Sequence, residues 1–315
     1  MPDAAIQGPS QDLLFCTVCT RSVSHFEPGP GGRPNTVCPR CGALDRHRVM
    51  ALVAKPSIAQ APAGSLVLDI APAGALSGLM KAAAKGQYVS IDFDPTADGR
   101  EVEARASVTH LPLRSNSVGF MLCSHVLEHV PDDTLAMTEI ARVLAAGASA
   151  LIQVPRRKGA STDEDLALTP SGRLERYGQA DHVRLYGDDF ESRLEQAGLR
   201  VASTSYSKLL PHPLLSMIGV FSDHELWVAS SDGVPEDPID SDEIMKSLGH
   251  ALLTAAPGGQ AAEVDRTAEL KQQLEAAREE SLMWKSNYEW LRNRPLVKTA
   301  ASLKRTLLGP FRRGE

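Results

Sequence analysis

Apolar residues in this chain fall into short continuous runs separated by polar, turn-rich stretches, and the runs set the expected architecture. The most informative stretch extends from His110 to Asp133, HLPLRSNSVGFMLCSHVLEHVPDD. Val118 to Cys123 is apolar apart from Gly119 and follows a polar turn at Arg114 to Ser117, which predicts a buried strand. Pro131-Asp132-Asp133 then punctuates the chain, and Leu135, Ile140, Val143 and Leu144 recur at the spacing of an amphipathic helix that stops at Gly147. Upstream, Asp45 to Val53 reads as a short helix and Leu66 to Ile70 as another buried strand. The small-residue turn Ala71-Pro72-Ala73-Gly74, an apolar helix through Ala84 and a strand from Tyr88 to Ile91 ending at Asp92 come next. Downstream, a helix over Asp189 to Ala197 and strands over Leu199 to Tyr206 and Glu225 to Ser230 complete the pattern. Strands alternating with helices predict an α/β fold built on a largely parallel sheet.

Two places in this pattern carry chemistry. The order strand, small-residue turn, helix, strand, acid from Leu66 to Asp92 is that of a nucleoside-binding half-sheet. The turn lets backbone approach a ligand, and a carboxylate at the second strand end can accept two ribose hydroxyls. A βαβ unit that binds nothing would read the same way. The strand ending near Cys123 opens into His125, Glu128 and His129, placing titratable groups where open α/β sheets bind ligands. The competing reading is a turn whose histidines only hydrogen-bond locally.

Cys16, Cys19, Cys38 and Cys41 form two CxxC pairs separated by eighteen residues. That spacing lets two tight knuckles present four thiolates to one zinc ion, with a redox pair or two disulfides as alternatives. The intervening SHFEPGPGGRPNT is too rich in glycine and proline to build a core, so metal binding would supply the folding energy. Four cysteines leave no open coordination position, which makes the zinc structural and leaves His25 and His47 outside the ligand set. The fifth cysteine, Cys123, belongs to an apolar run and is expected in the core.

Composition narrows the class. Hydrophobic residues make up 43% and charged residues 23%, values ordinary for a globular protein with a sizeable core. A formal charge of −6 and only 5% aromatic residues argue against nucleic acid as a partner. Neither a run of 18 apolar residues nor a basic-then-apolar N-terminus is present, so a cytoplasmic location is the default. From Gly233 to Asp242 the composition shifts to acid and proline, a linker signature, followed by a short helix with Ile244, Leu248 and Leu252 on one face. Leu270, Leu274, Ala277, Ser281, Trp284, Tyr288 and Leu291 then follow coiled-coil spacing, suited to a homodimer, a partner helix or a lone helix folded back. The basic, leucine-bearing tail beyond Arg292 suits peripheral contact with the inner face of a membrane, or a frayed terminus. The expected organisation is a disordered 1–13, a zinc ribbon at 14–45, the main domain at 46–232, a linker with a short helix at 233–260, and the helical tail at 261–315.

LVLDIAPAGAL, VSIDFDP, VTHLPLRSNSVGFMLCSHVLEHVPDD and EIARVLAAGASALIQVP together resemble, in order, the motifs of class I S-adenosylmethionine-dependent methyltransferases of the type 11 group. CPRCGALDRHR and RYGQADHVRLYGDDFESRLEQAGLRV resemble a zinc-ribbon-bearing subgroup common in bacterial glycan-biosynthesis gene clusters. The resemblance implies a Rossmann-like seven-stranded sheet and S-adenosyl-L-methionine as cofactor. It also implies O-methylation of a sugar or glycan-linked acceptor, with RNA methylation or a non-catalytic scaffold as alternatives. Asp69 and Gly74 would line the methionine side, Asp92 the ribose, and Val108 with Leu111 the adenine. Ser124 and His125 would close the pocket near the sulfonium, and His125, His129 and His182 are the catalytic candidates. Gly159 to Ser171 is a lid candidate, and Asp181 to Tyr186 (DHVRLY) offers an acid, a base, a guanidinium and a phenol for an acceptor, or else an Asp181–Arg184 pair on a surface turn before the next helix. Three positions depart from the family pattern: one glycine in the first motif, Ser107 in place of an acid, and Gly119 where aspartate is common.

Overall fold

Alternate residues of each central strand enter two separate apolar cores, which is why these strands read as continuous apolar runs. The computed structural model describes residues 14–96, 100–233 and 239–254. The chain opens with a small antiparallel hairpin, β1 (Leu14–Cys16) and β2 (Arg21–Val23), and enters α1 (Asp45–Gln60). Next come β3 (Leu66–Ile70), α2 (Gly74–Ala83), β4 (Tyr88–Asp92), the two-residue β5 (Ala104–Arg105), β6 (Val118–Ser124), α3 (Asp133–Val143) and β7 (Leu144–Gln153). β8 (Asp163–Glu164), α4 (Pro170–Tyr177) and β9 (Arg184–Leu185) form an excursion in which the two short strands pair. The described chain is completed by α5 (Phe190–Gln196), β10 (Arg200–Ser205), α6 (Tyr206–Leu209), α7 (His212–Met217), β11 (Glu225–Ser230) and α8 (Ser241–Thr254).

One seven-stranded sheet runs in the order β10-β11-β7-β6-β3-β4-β5. β3 to β7 pair in parallel, while β11 is antiparallel to both β7 and β10. This is the mixed α/β, Rossmann-like sheet that the sequence motifs imply. The chain moves outward from β3 through β4 to β5 and then returns to place β6 on the other side of β3. Reversals of this kind open a crevice at the carboxyl ends of the strands.

Val67, Phe120, Leu122, Leu151 and Val228 enter the core shared with α1, α2 and α8. Leu68, Met121, Cys123, Ile152 and Trp227 enter the core shared with α3 and α5. α8 contributes Ile244, Leu248 and Leu252 to the first of these, so the helix that follows the acid- and proline-rich stretch is core rather than tether. The expected long helix and basic tail at 261–315, and the N-terminal 1–13, lie outside the described residues.

Three local departures from the sequence pattern have identifiable causes. α1 runs on through Pro56 to Gln60, although the sequence suggests an end near Val53. The ring removes one backbone bond, but continuing the helix buries Val53, Ala54 and Ile58. α3 ends at Val143, and Leu144 already belongs to β7, where it pairs with Val118. The residues up to Gly147, whose φ is +72°, form a bulge before pairing resumes at Ser149 opposite Phe120. Gly119 is required by packing: a Cβ there would stand 1.9 Å from Ser65 Oγ.

Candidate active site

Two non-glycine residues adopt left-handed backbone where the central strands end. Ala71, one residue past β3, has φ +56°, and His125, one residue past β6, has φ +54°. Such conformations are uncommon for residues with a side chain and concentrate at functional sites. Both are pinned by neighbouring strands: the Ala71 N–H donates to the Ile91 carbonyl and the His125 N–H to the Gln153 carbonyl, each at 2.8 Å. Gly74, with φ +46°, opens α2, and the Ala73 N–H donates to Ser77 Oγ at 2.8 Å.

Asp69 lies opposite Ser90 in the β3–β4 ladder, and side chains alternate along a strand. Asp92, two residues beyond Ser90, therefore shares a sheet face with Asp69. Asp69 is 1% exposed and accepts a 2.8 Å hydrogen bond from the Tyr88 hydroxyl. Burial pushes its carboxyl up to about 6, against the opposite pull of hydrogen bonds from Ser77 and Tyr88. Asp92 accepts from Arg100 Nη1 at 2.6 Å and from the Asp94 N–H at 2.8 Å, one donor on each oxygen. Each oxygen keeps a further lone pair for a hydroxyl. Val108 and Leu111 do not join this face. They are buried in the core shared with α3, where Glu139 accepts the Leu111 N–H at 2.8 Å.

The three catalytic candidates converge past the end of β6. His125 Nδ1 is 3.1 Å from Glu128 Oε1, and Glu128 is 0% exposed with its other oxygen unpartnered among the described residues. His129 Nδ1 lies 3.1 Å from Asp181 Oδ2, and its ring meets that of His182 edge-on, centroids 4.7 Å apart. His182 is 3% exposed, and neither of its ring nitrogens has a partner among the described residues. Burial lowers its pKa from the ordinary value, which favours the neutral ring. Ser124, the last residue of β6, stands at the same edge. Cys123 faces the core, fully buried with its thiol pKa raised by desolvation, and is no nucleophile.

The DHVRLY segment is divided between this cluster and its support. Asp181 pairs with His129 rather than with Arg184. Arg184 is fully buried and donates to the carbonyls of Leu127, Val130 and Pro131 and to the Glu164 carboxylate. Tyr186 donates to Asp133 Oδ2 at 2.8 Å. Sequence reasoning passed over Tyr88 and offered Arg184 to an acceptor rather than to the loop it braces, because a guanidinium or phenol in a strand pattern gives no sign of which loop or acid it will meet. The lid candidate at 159–171 includes β8, which pairs with β9 through Glu164 and Arg184.

A separate cluster gathers the four cysteines. Their sulfurs all lie within 4.8 Å of one another, with Cys16 to Cys41 at 3.7 Å and Cys19 to Cys38 at 3.9 Å. Zn–S bonds of ~2.3 Å at tetrahedral angles place sulfurs about 3.8 Å apart, so the donor set fits zinc. Four thiolates around Zn2+ leave a net charge of about −2. The buried Arg48 guanidinium, within electrostatic reach of Cys16, Cys38 and Cys41, is of the sign to offset it. His47 is otherwise engaged, since its Nδ1 accepts the Leu44 N–H at 3.2 Å and burial lowers its pKa to about 3.

Comparison with known proteins places this geometry in context. Residues 68–152, the stretch from β3 through β7, match the family described as a methyltransferase domain. An uncharacterized methyltransferase of Mycobacterium sp. (strain JLS) is 32% identical over 117 residues, 34% of this chain and 46% of that protein. The chain thus spans about half the length of that curated relative. A SAM-dependent methyltransferase from Thermotoga maritima is 16% identical, over 59% of this chain and 91% of that one, with a TM-score of 0.37. The YcgJ protein of Bacillus subtilis is 18% identical, over 65% and 84%, with a TM-score of 0.35. The segment that carries Asp69, Asp92 and the histidine-bearing end of β6 is therefore similar in sequence to a methyltransferase domain.

Proposed function

We propose that this protein transfers a methyl group from S-adenosylmethionine to a hydroxyl of a sugar or glycan-linked acceptor. The observation that carries the reading is the pairing of two acidic strand ends, Asp69 and Asp92, on one face of a sheet whose order reverses beside them. The family match over residues 68–152 supports it. When bound, S-adenosylmethionine supplies a methyl carbon already activated by the sulfonium, so the protein's main task is alignment. Asp92 would accept the ribose hydroxyls, and Asp69 with the turn at Ala71 to Gly74 would hold the methionine end. Ser124 would border the sulfonium.

On the acceptor side, a C–O bond forms as the S–C bond breaks, and the hydroxyl proton must leave. His125 would take it, its ring held by Glu128. His129 and His182 would bind the acceptor beside it. The sugar or glycan acceptor is what the resemblance of the segments around Cys38 to Arg48 and Arg176 to Val201 to the glycan-cluster subgroup implies. The four-cysteine unit would hold one structural Zn2+.

The test incubates the full chain and methyl-labelled cofactor with nucleotide sugars, lipid-linked glycans and RNA, and reads products by mass spectrometry. A gain of one methyl on a glycan hydroxyl is the expected result. Methylated RNA, or no binding of S-adenosylmethionine by calorimetry, would reject the reading.

A further inference from the structure

We propose that Glu128, His129 and His182 form a divalent-cation site distinct from the four-cysteine cluster. One ligand atom from each lies within 4.8 Å of the others. Three observations converge. Glu128 is fully buried, and its Oε2 has no partner among the described residues while Oε1 is engaged by His125. His182 is buried with both ring nitrogens unpartnered among the described residues. His129 Nδ1 faces the Asp181 carboxylate, which can only accept, so in the neutral ring Nδ1 is the N–H and Nε2 the lone-pair atom.

Glu128 and His129 thus each present a lone pair, and the unengaged His182 ring can present a third. A cation accepts all three lone pairs at once. The surrounding partners are those metal sites use. A carboxylate holding the far nitrogen of a ligating histidine is the Asp181–His129 arrangement, and the ligating carboxylate is itself hydrogen-bonded, here by His125. Bonds of ~2.1 Å require the three atoms to draw together by about an ångström. His129 is half-buried at the rim and can supply that movement while giving the ion its entry path. Two imidazoles and one carboxylate suit Mn2+, Fe2+, Co2+ or Zn2+ and leave coordination positions open.

Binding of the ion is a property of this edge alone, and its use rests on the methyl-transfer reading. There, an open position would take the acceptor's hydroxyl oxygen and ease loss of its proton to His125. That oxygen then bonds to the methyl carbon while the S–C electron pair stays on sulfur.

The experiment uses the full chain, with the cysteine cluster first filled by one equivalent of Zn2+, titrated with Mn2+ and followed by electron paramagnetic resonance. One further equivalent of Mn2+ should bind, and Glu128→Gln and Asp181→Asn should each weaken it at least about tenfold without changing the zinc content. Asp181 is 69% exposed on its side chain, so its variant keeps the test alive if Glu128→Gln fails to fold. No Mn2+ bound up to about 1 mM, or equal binding by wild type and both variants, overturns the site. S-adenosylmethionine calorimetry on the same samples separates the two readings. Cofactor binding without Mn2+ sinks the cation site alone, and Mn2+ binding without cofactor sinks the methyl-transfer reading alone.

Discussion

Asp69, proposed to hold the methionine end of the cofactor, weakens the fold that carries it. Burial raises its carboxyl from 3.8 to about 6, so the folded protein keeps a proton that the unfolded chain gives up near pH 4. Stability therefore falls as pH rises between about 4 and 6 and levels off above that window, with a loss on the order of 3 kcal/mol. Asp69→Asn should abolish that slope and raise stability by a similar amount at neutral pH, read by urea unfolding at several pH values. The same substitution should weaken S-adenosylmethionine at least about tenfold by calorimetry, because the amide cannot attract the cofactor's ammonium group. The residue was legible as an acid ending a strand. Its raised pKa was not, because that depends on Ser77, Tyr88 and the burial that tertiary packing imposes.

Among the elements, the segment from Leu127 to Pro131 has little regular structure of its own, only a single turn of 3-10 helix at Leu127–His129. Its shape comes from β9, more than fifty residues later, where Arg184 donates to three of its carbonyls. Arg184 is thus a positioning residue for Glu128 and His129 rather than a binding group. Removing a buried guanidinium leaves three carbonyls without their donor and the Glu164 and Asp133 carboxylates with Arg193 as the cation that remains, a loss of about 3 kcal/mol. Arg184→Met should speed amide exchange across 125–133 and lower kcat more than cofactor affinity. Equal loss in both, with unchanged exchange, would argue that the arginine only staples β8 to β9. Periodicity identifies helices and strands well and this kind of brace poorly, since the donor and its acceptors share no local pattern.

For the whole molecule, the cysteine unit and the sheet are joined through one side chain. Arg48, on α1, donates to Thr36 and Ala43 near the cysteines and to Ile218 and Gly219 beyond α7, and lies 3.7 Å above the Phe26 ring. Gly219 can have no larger replacement, as a Cβ there would meet Phe26 at 2.2 Å with φ at +68°. With the proposed Zn2+ bound at the four cysteines, stripping it with a chelator should therefore do more than unfold residues 14–44. It should lower the melting temperature of the whole domain and speed amide exchange at 218–220, and release of one equivalent of Zn2+ can be followed with a chromophoric chelator. By itself the sequence determined the alternation of strands and helices, the cysteine donor set, and the acids and histidines at strand ends. Each follows from spacing within a few residues, where backbone geometry is fixed. Only the tertiary structure decided that His182 meets His129, that Arg184 holds the Leu127 to Pro131 segment that carries His129, and that α8 completes the core. Those contacts join residues tens to hundreds of positions apart, and their free energy comes from burial and desolvation that no local pattern encodes.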